Sequence, residues 1–247
     1  MIDLYKLHKN SEKLDNYQQL SVPISYLVST LSYWGQDLTN VMHIIKRSTK
    51  YAYNYARWIM ESRWEEVEPI IMKSPEYAYN YARYIIKDRW IEAEPIIMKS
   101  PNHACAYARS IIKGRWIEAE QYIMTDPSSA CLYAKDIIKG RWKEAESTIR
   151  QQFEWLHTYA AYVIQERWIE AEEQILTSPW CTFYYIRDII KDRWKEAEPT
   201  LMKEPEYACM YAIHIMKERW IEAEPYIKKD PQYAHWKEYC LEFNIND

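Results

Sequence analysis

Glycine is scarce in this sequence: only 3 of its 247 residues are glycine. Phosphate-binding loops and two-residue β-hairpin turns need glycine at fixed positions, so the scarcity argues against nucleotide-binding loops and hairpin-rich folds. The motifs GxGxxG, GxxxxGK(S/T), HExxH and GxSxG are also absent. Because these motifs mark common cofactor, metal and nucleophile sites, we expect a non-enzymatic protein without a cofactor or a metal.

Long apolar segments are missing as well. No run of about 18 apolar residues occurs, the minimum for a transmembrane helix, and residues 1–14 lack the apolar core of a signal peptide. The five cysteines form no CxxC pair, and an odd number fits free thiols in a reducing compartment better than a disulfide framework. We therefore expect a cytoplasmic protein with no membrane association.

What the sequence does contain is an internal repeat. The dipeptide Arg-Trp recurs every 26 residues without insertion. Its seven copies begin at Arg63, Arg89, Arg115, Arg141, Arg167, Arg193 and Arg219. A fixed period of this length is typical of tandem-repeat architectures.

One copy, residues 75–100, predicts two short helices. Ala78, Tyr81 and Ala82 begin an apolar stripe at helical spacing. Pro75 suits the first turn of that helix. We expect the helix to end at the position of Asp88, where Gly114 and Gly140 stand in the next two copies. A second helix should start near Glu92, with its proline in the first turn.

Short helices are marginal in water and must bury their apolar faces against neighbours. The predicted fold is therefore all-α: an α-solenoid of stacked helix–turn–helix repeats with capping helices at the ends. Residues 1–48 are interpreted as an N-terminal capping segment with a degenerate half repeat, in which Val41, Ile44 and Ile45 match a second helix. Residues 49–230 form seven repeats, and residues 231–247 form a C-terminal partial repeat or cap.

Positions that stay constant among the copies are best explained by packing. The repeated Trp and a repeated Tyr should form the core, with the phenol reaching a polar partner at the rim. The recurring Arg with its two Glu, such as Arg89, Glu92 and Glu94, should form a ladder that joins neighbouring units or place acids at a helix N-terminus. A site made seven times is not expected to be catalytic.

Positions that vary are the candidates for recognition. Two positions four residues apart on the first helix range from apolar to acidic to aromatic. Exposed aromatics are unusual at neutral surface positions, so we expect a protein partner here, although free drift of an exposed face is the alternative. The predicted contact residues are Trp58, Tyr84, Trp155, His157, Tyr162, Trp180, Tyr184 and His214.

The copy at residues 153–178 is irregular. It lacks the starting Pro and introduces Trp155 and His157. Together with Trp180 and Tyr184 of the next copy, it is either a contact hot spot or a degenerate unit whose apolar residues fill a packing defect. An enzyme site is the least favoured hypothesis, and it would also lie near this copy.

A basic row offers an alternative function, the binding of nucleic acid or a nucleotide. It holds Arg83, Lys87, Arg109, Lys113, Lys135 and Lys139, which could track phosphates. Basic residues near a helix C-terminus also simply complement the helix dipole. The net charge of −4 disfavours nucleic acid.

The segment from Tyr77 to Pro95 follows the pattern Tyr-Ala-x-x-Tyr-Ala-Arg-x-Ile-Ile-Lys-x-Arg-Trp-x-Glu-Ala-Glu-Pro. This pattern resembles short tandem helical repeats of tailed-phage and giant-virus proteins, which have no assigned function. The resemblance covers residues 49–236. It implies a viral protein in the host cytoplasm, for which inhibition of a host defence protein is one role. Exposed aromatics also make a homo-oligomer plausible.

Overall fold

The computed structural model describes residues 42–43, 45–230 and 234–246. All regular structure in this part of the chain is helical, and it contains no strand. These residues form two compact units that divide between Lys113 and Gly114. Each unit is a stack of helix pairs with the 26-residue period, so the predicted all-α solenoid of helical repeats is confirmed.

Repeats are numbered here from residue 49, so that repeat 1 is 49–74 and repeat 7 is 205–230. The first unit holds repeats 1 and 2 and the first helix of repeat 3; the second unit holds the remainder. The α-helical parts of the first helices are Thr49–Tyr55, Pro75–Tyr81, Pro101–Tyr107, Pro127–Tyr133, Phe153–Tyr159, Pro179–Tyr185 and Pro205–Tyr211. Proline opens five of them, where its missing N–H costs no hydrogen bond.

A π-helical turn completes each first helix. These turns are Ala56–Met60, Ala82–Ile86, Ala108–Ile112, Ala134–Ile138, Ala160–Ile164, Ile186–Ile190 and Ala212–Met216. The residue after each turn has a left-handed backbone; Lys87, with φ of 61°, donates its N–H to the Ala82 carbonyl at 2.7 Å. The expected glycine ending is wrong, because Lys113 and Lys139 are the left-handed residues and Gly114 and Gly140 follow one position later without positive φ.

The second helices are short, and several begin with a 3₁₀ turn. Their bounds are Glu65–Val67 with Glu68–Ile71, Ile91–Ala93 with Glu94–Ile97, Ile117–Ile123, Lys143–Ala145 with Glu146–Ile149, Ile169–Ile175, Lys195–Ala197 with Glu198–Leu201, and Glu224–Ile227. Pro95 lies in the first turn of its α-helix, as the sequence predicts. No helix in the described part of the chain is long and apolar enough to cross a membrane.

The left-handed residues offer a test of this helix ending. A non-glycine residue with positive φ is strained by about 1–2 kcal/mol, and glycine relieves that strain at some entropic cost. We expect Gln165→Gly, at φ of 61°, to raise the free energy of unfolding by about 0.5–1 kcal/mol, measured by urea denaturation. Ala161→Gly, within the preceding π-helical turn, should lower it by about 1 kcal/mol. Equal destabilisation by both would contradict a left-handed ending.

The repeated aromatic residues form the core, as predicted. Tyr81 and Trp90 of repeat 2 are buried, and their ring centroids lie 5.1 Å apart. The same pairing recurs in the second unit, for example between Tyr159 and Trp168. Ala78 and Ala82 on the first helix and Ala93 on the second have no exposed surface. Small residues beside large rings let the helices approach closely.

A tyrosine hydroxyl joins each repeat to the one before it. Tyr107 accepts the backbone N–H of Trp90 at 2.7 Å and donates to Glu94 at 3.1 Å, and Arg89 holds the same carboxylate through two hydrogen bonds. We call this arrangement the junction. The tyrosines that accept a tryptophan N–H in this way are Tyr81, Tyr107, Tyr133, Tyr159, Tyr185, Tyr211 and Tyr239.

The junction corrects one sequence prediction and adds detail to another. The phenol is buried, not at a rim, because its partner is a backbone N–H inside the stack. The Arg–Glu pair lies within one repeat, five residues apart, and the tyrosine makes the link to the neighbour. Arg–Glu pairs between repeats are also present, at Arg141–Glu170 and Arg193–Glu218 in the second unit, and Glu92 and Glu94 lie in the first turns of the second helix, as the sequence predicts.

The C-terminal helix Ala234–Phe243 closes the last junction. Tyr239 accepts the N–H of Trp220, 19 residues earlier instead of the usual 17, so the partial repeat carries two additional residues and still completes the contact. Pro231, Gln232 and Tyr233, which match the start of a repeat, lie outside the described residues, as do residues 1–41 and Ile44 of the predicted N-terminal cap. The boundaries proposed for both caps stay predictions.

Candidate interaction surface

The variable row of the first helices lies partly on the surface. Trp58, Tyr84 and Tyr162 are 57%, 38% and 56% exposed, and His214 is also exposed. Asp136 and Asp188 at the same position are half-buried. The row therefore presents aromatic rings to solvent at some repeats and polar groups at others.

In the first unit the aromatic residues of the row surround an arginine. The Arg57 guanidinium lies 4.4 Å from the Trp58 ring centroid and 3.8 Å from that of Tyr84 in the next repeat. Its Nη1 also donates to the Tyr53 hydroxyl. A guanidinium this close to two aromatic rings is held by cation–π attraction.

A second arginine repeats the arrangement one repeat later. Arg83 donates from Nη1 to the Tyr79 hydroxyl at 2.7 Å and lies 5.0 Å from the Tyr84 ring. The Tyr79 hydroxyl is also 3.3 Å from Ser110 Oγ. We call this set the arginine–aromatic cluster; its members are Tyr53, Arg57, Trp58, Tyr79, Arg83 and Tyr84.

The two cluster arginines differ electrostatically from the junction arginines. In the part of the chain that the structure describes, neither Arg57 nor Arg83 has a carboxylate within 4.0 Å; both contact tyrosine hydroxyls and aromatic rings instead. The hydrogen bond with Tyr79 raises the pKa of Arg83, so the group stays charged. Arg89, by contrast, is paired with Glu94. The cluster thus carries two positive charges that no acid among the described residues neutralises.

In the second unit the row is more nearly neutralised. Lys135 lies 4.7 Å from the exposed Tyr162 ring. Arg187 lies 4.4 Å from the Tyr184 ring and forms two hydrogen bonds with Asp188. Those bonds, followed by the contact with His157, lower the pKa of Asp188.

His157 is not on the surface where the sequence prediction placed it. It is 8% exposed, and its Nε2 is 2.7 Å from Asp188 Oδ2. It takes the inward position that Cys105 and Cys131 occupy in the preceding repeats, and its ring lies 6.1 Å from Trp180 and 5.8 Å from Tyr184. Trp155, Trp180 and Tyr184 are half-buried. Of these four residues, His157 is therefore buried within the stack and the other three are partly accessible.

The basic row is exposed but has two kinds of member. Lys87, Lys113 and Lys139 are the left-handed residues that end first helices. Arg83, Arg109 and Lys135 lie within the preceding π-helical turns. Ala161 and Gln165 interrupt the row in repeat 5, and Arg187 beyond them is paired with Asp188.

Sequence reasoning missed a second exposed feature, a set of isoleucines at the start of the second helices. Each follows the repeated Arg-Trp and is about 60% exposed. The members are Ile91, Ile117, Ile169 and Ile221. A signal was available, because Glu65, Lys143 and Lys195 occupy the same position in other repeats, and a position that accepts charges faces solvent.

Other side chains offer little chemistry. The described residues contain no group of three His, Cys, Asp or Glu placed to hold a metal ion. All five cysteines are buried, and burial raises the pKa of Cys131, Cys181 and Cys209 to about 12. Thiols with so little thiolate at neutral pH are poor nucleophiles.

Comparison with models of protein families, with curated proteins and with solved structures finds no significant match. The geometry of the described residues is therefore the basis for a function.

Proposed function

We propose that this chain is a non-enzymatic repeat scaffold that binds a protein partner through the first-helix face of its repeats, with the arginine–aromatic cluster as the principal contact. The single observation that carries the proposal is the exposed Trp58 and Tyr84 around the charged Arg57. Tryptophan, tyrosine and arginine dominate the binding energy of protein interfaces. Stacking also orders the arginine in advance, which lowers the entropic cost of binding.

Two observations favour a protein over a nucleic acid. The basic row is interrupted at Ala161 and Gln165 and neutralised at Arg187, so it offers no continuous track for phosphates. Ile59 and Met60, next to Trp58, are each 37% exposed and add apolar surface. Apolar contact suits a protein interface better than a phosphate backbone.

A host cell as the place of this binding is supported only by the resemblance of the repeat sequence to phage and giant-virus repeats. Short tandem helical repeats of tailed-phage and giant-virus type would act inside a host cell. We therefore extend the proposal to a host protein as the partner, with a defence protein whose action this chain blocks as the specific candidate.

The test compares two sets of exposed residues in the same unit. The tagged full chain, its Trp58→Ser/Tyr84→Ser variant and its Ile91→Ser variant are each incubated with lysates of bacterial and eukaryotic cells. A protein retained by the first and third but lost by the second is identified, purified and titrated calorimetrically. We expect the double variant to raise Kd by about thirtyfold or more, since a hot-spot residue contributes 2 kcal/mol or more.

Stability measurements accompany the titration. Because Trp58 and Tyr84 are exposed, the double variant should lower the free energy of unfolding by no more than about 1 kcal/mol. A much larger loss would show that the rings are structural, and unchanged affinity in the folded double variant would remove the proposal. Retention of nucleic acid at low salt alone would instead support the phosphate-binding alternative.

A further inference from the structure

The cluster arginines have hydrogen-bonding capacity that the described part of the chain does not use. A guanidinium carries five N–H donors, and the only hydrogen bond of Arg57 among the described residues goes to the Tyr53 hydroxyl. Arg83 likewise donates only to Tyr79. Most donors of each arginine therefore have no acceptor among the described residues. Aromatic rings lie beside each guanidinium and restrict its orientation.

Such groups select oxyanions. A planar guanidinium matches a carboxylate or a phosphate through two parallel hydrogen bonds, and charge-assisted bonds are about twice as strong as neutral ones. The junctions of this same chain show the preference, because Arg63 and Arg89 each hold a glutamate in this way. The cluster arginines have the same chemistry, and no acid in the described ranges pairs with them.

The surroundings of the cluster indicate which oxyanion. Trp58 is exposed and its ring contacts Arg57, so a ligand that contacts the arginine also meets apolar surface. A polypeptide can present carboxylates and apolar side chains together. A phosphate polymer would gain little from Ile59 and Met60 and would be repelled by the net charge of −4.

Resting on the proposed function, we infer that the partner presents an acidic segment whose Asp or Glu carboxylates pair with Arg57 and Arg83 while an apolar side chain covers Trp58. The positive charges of Arg57 and Arg83 favour this acidic segment as the occupant of the surface, through charge complementarity. The segment would be recognised by alternating acidic and apolar residues.

The experiment uses three fluorescein-labelled probes with the full-length chain: a short peptide of interspersed glutamates and phenylalanines, the same peptide with glutamine for glutamate, and an oligothymidylate of similar length. Binding is followed by fluorescence anisotropy at low and moderate salt. We expect the glutamate peptide to bind about tenfold or more tightly than the glutamine peptide, because the latter cannot form charge-assisted pairs.

Variants then locate the binding. Arg57→Gln/Arg83→Gln should weaken the glutamate peptide by about tenfold or more, and Arg57→Lys/Arg83→Lys should restore little of the loss, since lysine has neither the planar fork nor the stacking face. Lys73→Gln/Lys99→Gln removes the same charge from exposed positions of this unit and should change the affinity less than threefold. Equal losses in both glutamine pairs would reduce the effect to general electrostatics and overturn the inference.

The outcomes also separate this inference from the proposed function. Equal binding of both peptides, lost in Trp58→Ser/Tyr84→Ser, keeps the protein-binding face and removes its acidic specificity. Tighter binding of the oligothymidylate than of either peptide overturns both. Concentration-dependent self-association in sedimentation, abolished by Arg57→Gln/Arg83→Gln, would make a second copy of this chain the occupant and overturn an acidic partner segment. Absence of any peptide binding overturns the inference.

Discussion

Between pH 9 and 12 the free energy of unfolding of this protein is expected to fall more steeply than its size alone would suggest, because the junction tyrosines titrate together. Burial raises the pKa of Tyr81 and Tyr239 to about 12 and raises the pKa of Tyr107, Tyr133, Tyr159, Tyr185 and Tyr211 above the ordinary value near 10. The tryptophan N–H bond partly opposes this, and the neighbouring glutamate adds to it.

The direction of the effect follows from proton linkage. Below pH of about 10 both the folded and the unfolded chains keep these phenols protonated, so their contribution to stability is fully present. Between about 10 and 12 the unfolded chain loses protons that the folded chain retains, and stability falls. Each such tyrosine contributes a slope of up to about 1.4 kcal/mol per pH unit. The buried thiols have raised pKa values as well and act in the same direction.

A single substitution isolates the tyrosine contribution. At pH 8, Tyr159→Phe should lower the free energy of unfolding by about 1–3 kcal/mol, because the buried Trp142 N–H loses its acceptor. This difference should shrink by up to about 1.4 kcal/mol for each pH unit above 10, since only the wild type carries the titrating hydroxyl. Urea denaturation at a series of pH values measures both quantities. A difference that stays constant from pH 9 to 12 would contradict the junction as described.

Replacing a repeated tryptophan by alanine should cost far more than replacing an exposed one. Trp168 has no exposed surface and its ring lies 5.1 Å from that of Tyr159. We expect Trp168→Ala to lower the free energy of unfolding by about 3–5 kcal/mol through lost burial and the cavity that remains. Trp58→Ala is the matched control: its ring is 57% exposed and contacts mainly Arg57, so its loss should be about 1 kcal/mol or less.

Thermal and urea unfolding followed by circular dichroism compare the two variants. Because each repeat contacts only its neighbours, a cavity in repeat 5 should also broaden the transition of the second unit as cooperativity between repeats weakens. Similar losses for Trp168→Ala and Trp58→Ala would mean that the repeated tryptophans are not the core.

Internal comparison of the copies revealed more about the structure than composition did. The period, the two helices of each repeat and the buried Tyr81 and Trp90 could all be predicted, because the same local contacts are made in every copy. The predicted surface position of His157 is wrong. Its position aligns with Cys105 and Cys131 of the preceding repeats, and this alignment indicates an inward side chain. A buried polar group is tolerated at this inward position because Asp188 accepts its hydrogen bond.

The candidate site was only partly predictable. Trp58 and Tyr84 could be identified as unusual exposed aromatics, but Arg57 between them could not, since it contacts a ring in the next repeat. Side chains from different helices are brought together by the stacking distance between repeats, which no spacing along one helix encodes.

By itself, then, the sequence determined the period, the helical character, the positions of the two helices and the aromatic core, all of which depend on residues close in the chain or on identical copies. The tertiary structure alone decided the left-handed ending at Lys113, one residue before Gly114, the bonds from Tyr107 to Trp90 and Glu94, and the stacking of Arg57 on Tyr84. The left-handed ending depends on the π-helical hydrogen bonding of the last turn. The tyrosine bonds and the arginine stacking join groups 13 to 27 residues apart, and the packing of neighbouring repeats determines whether those groups meet.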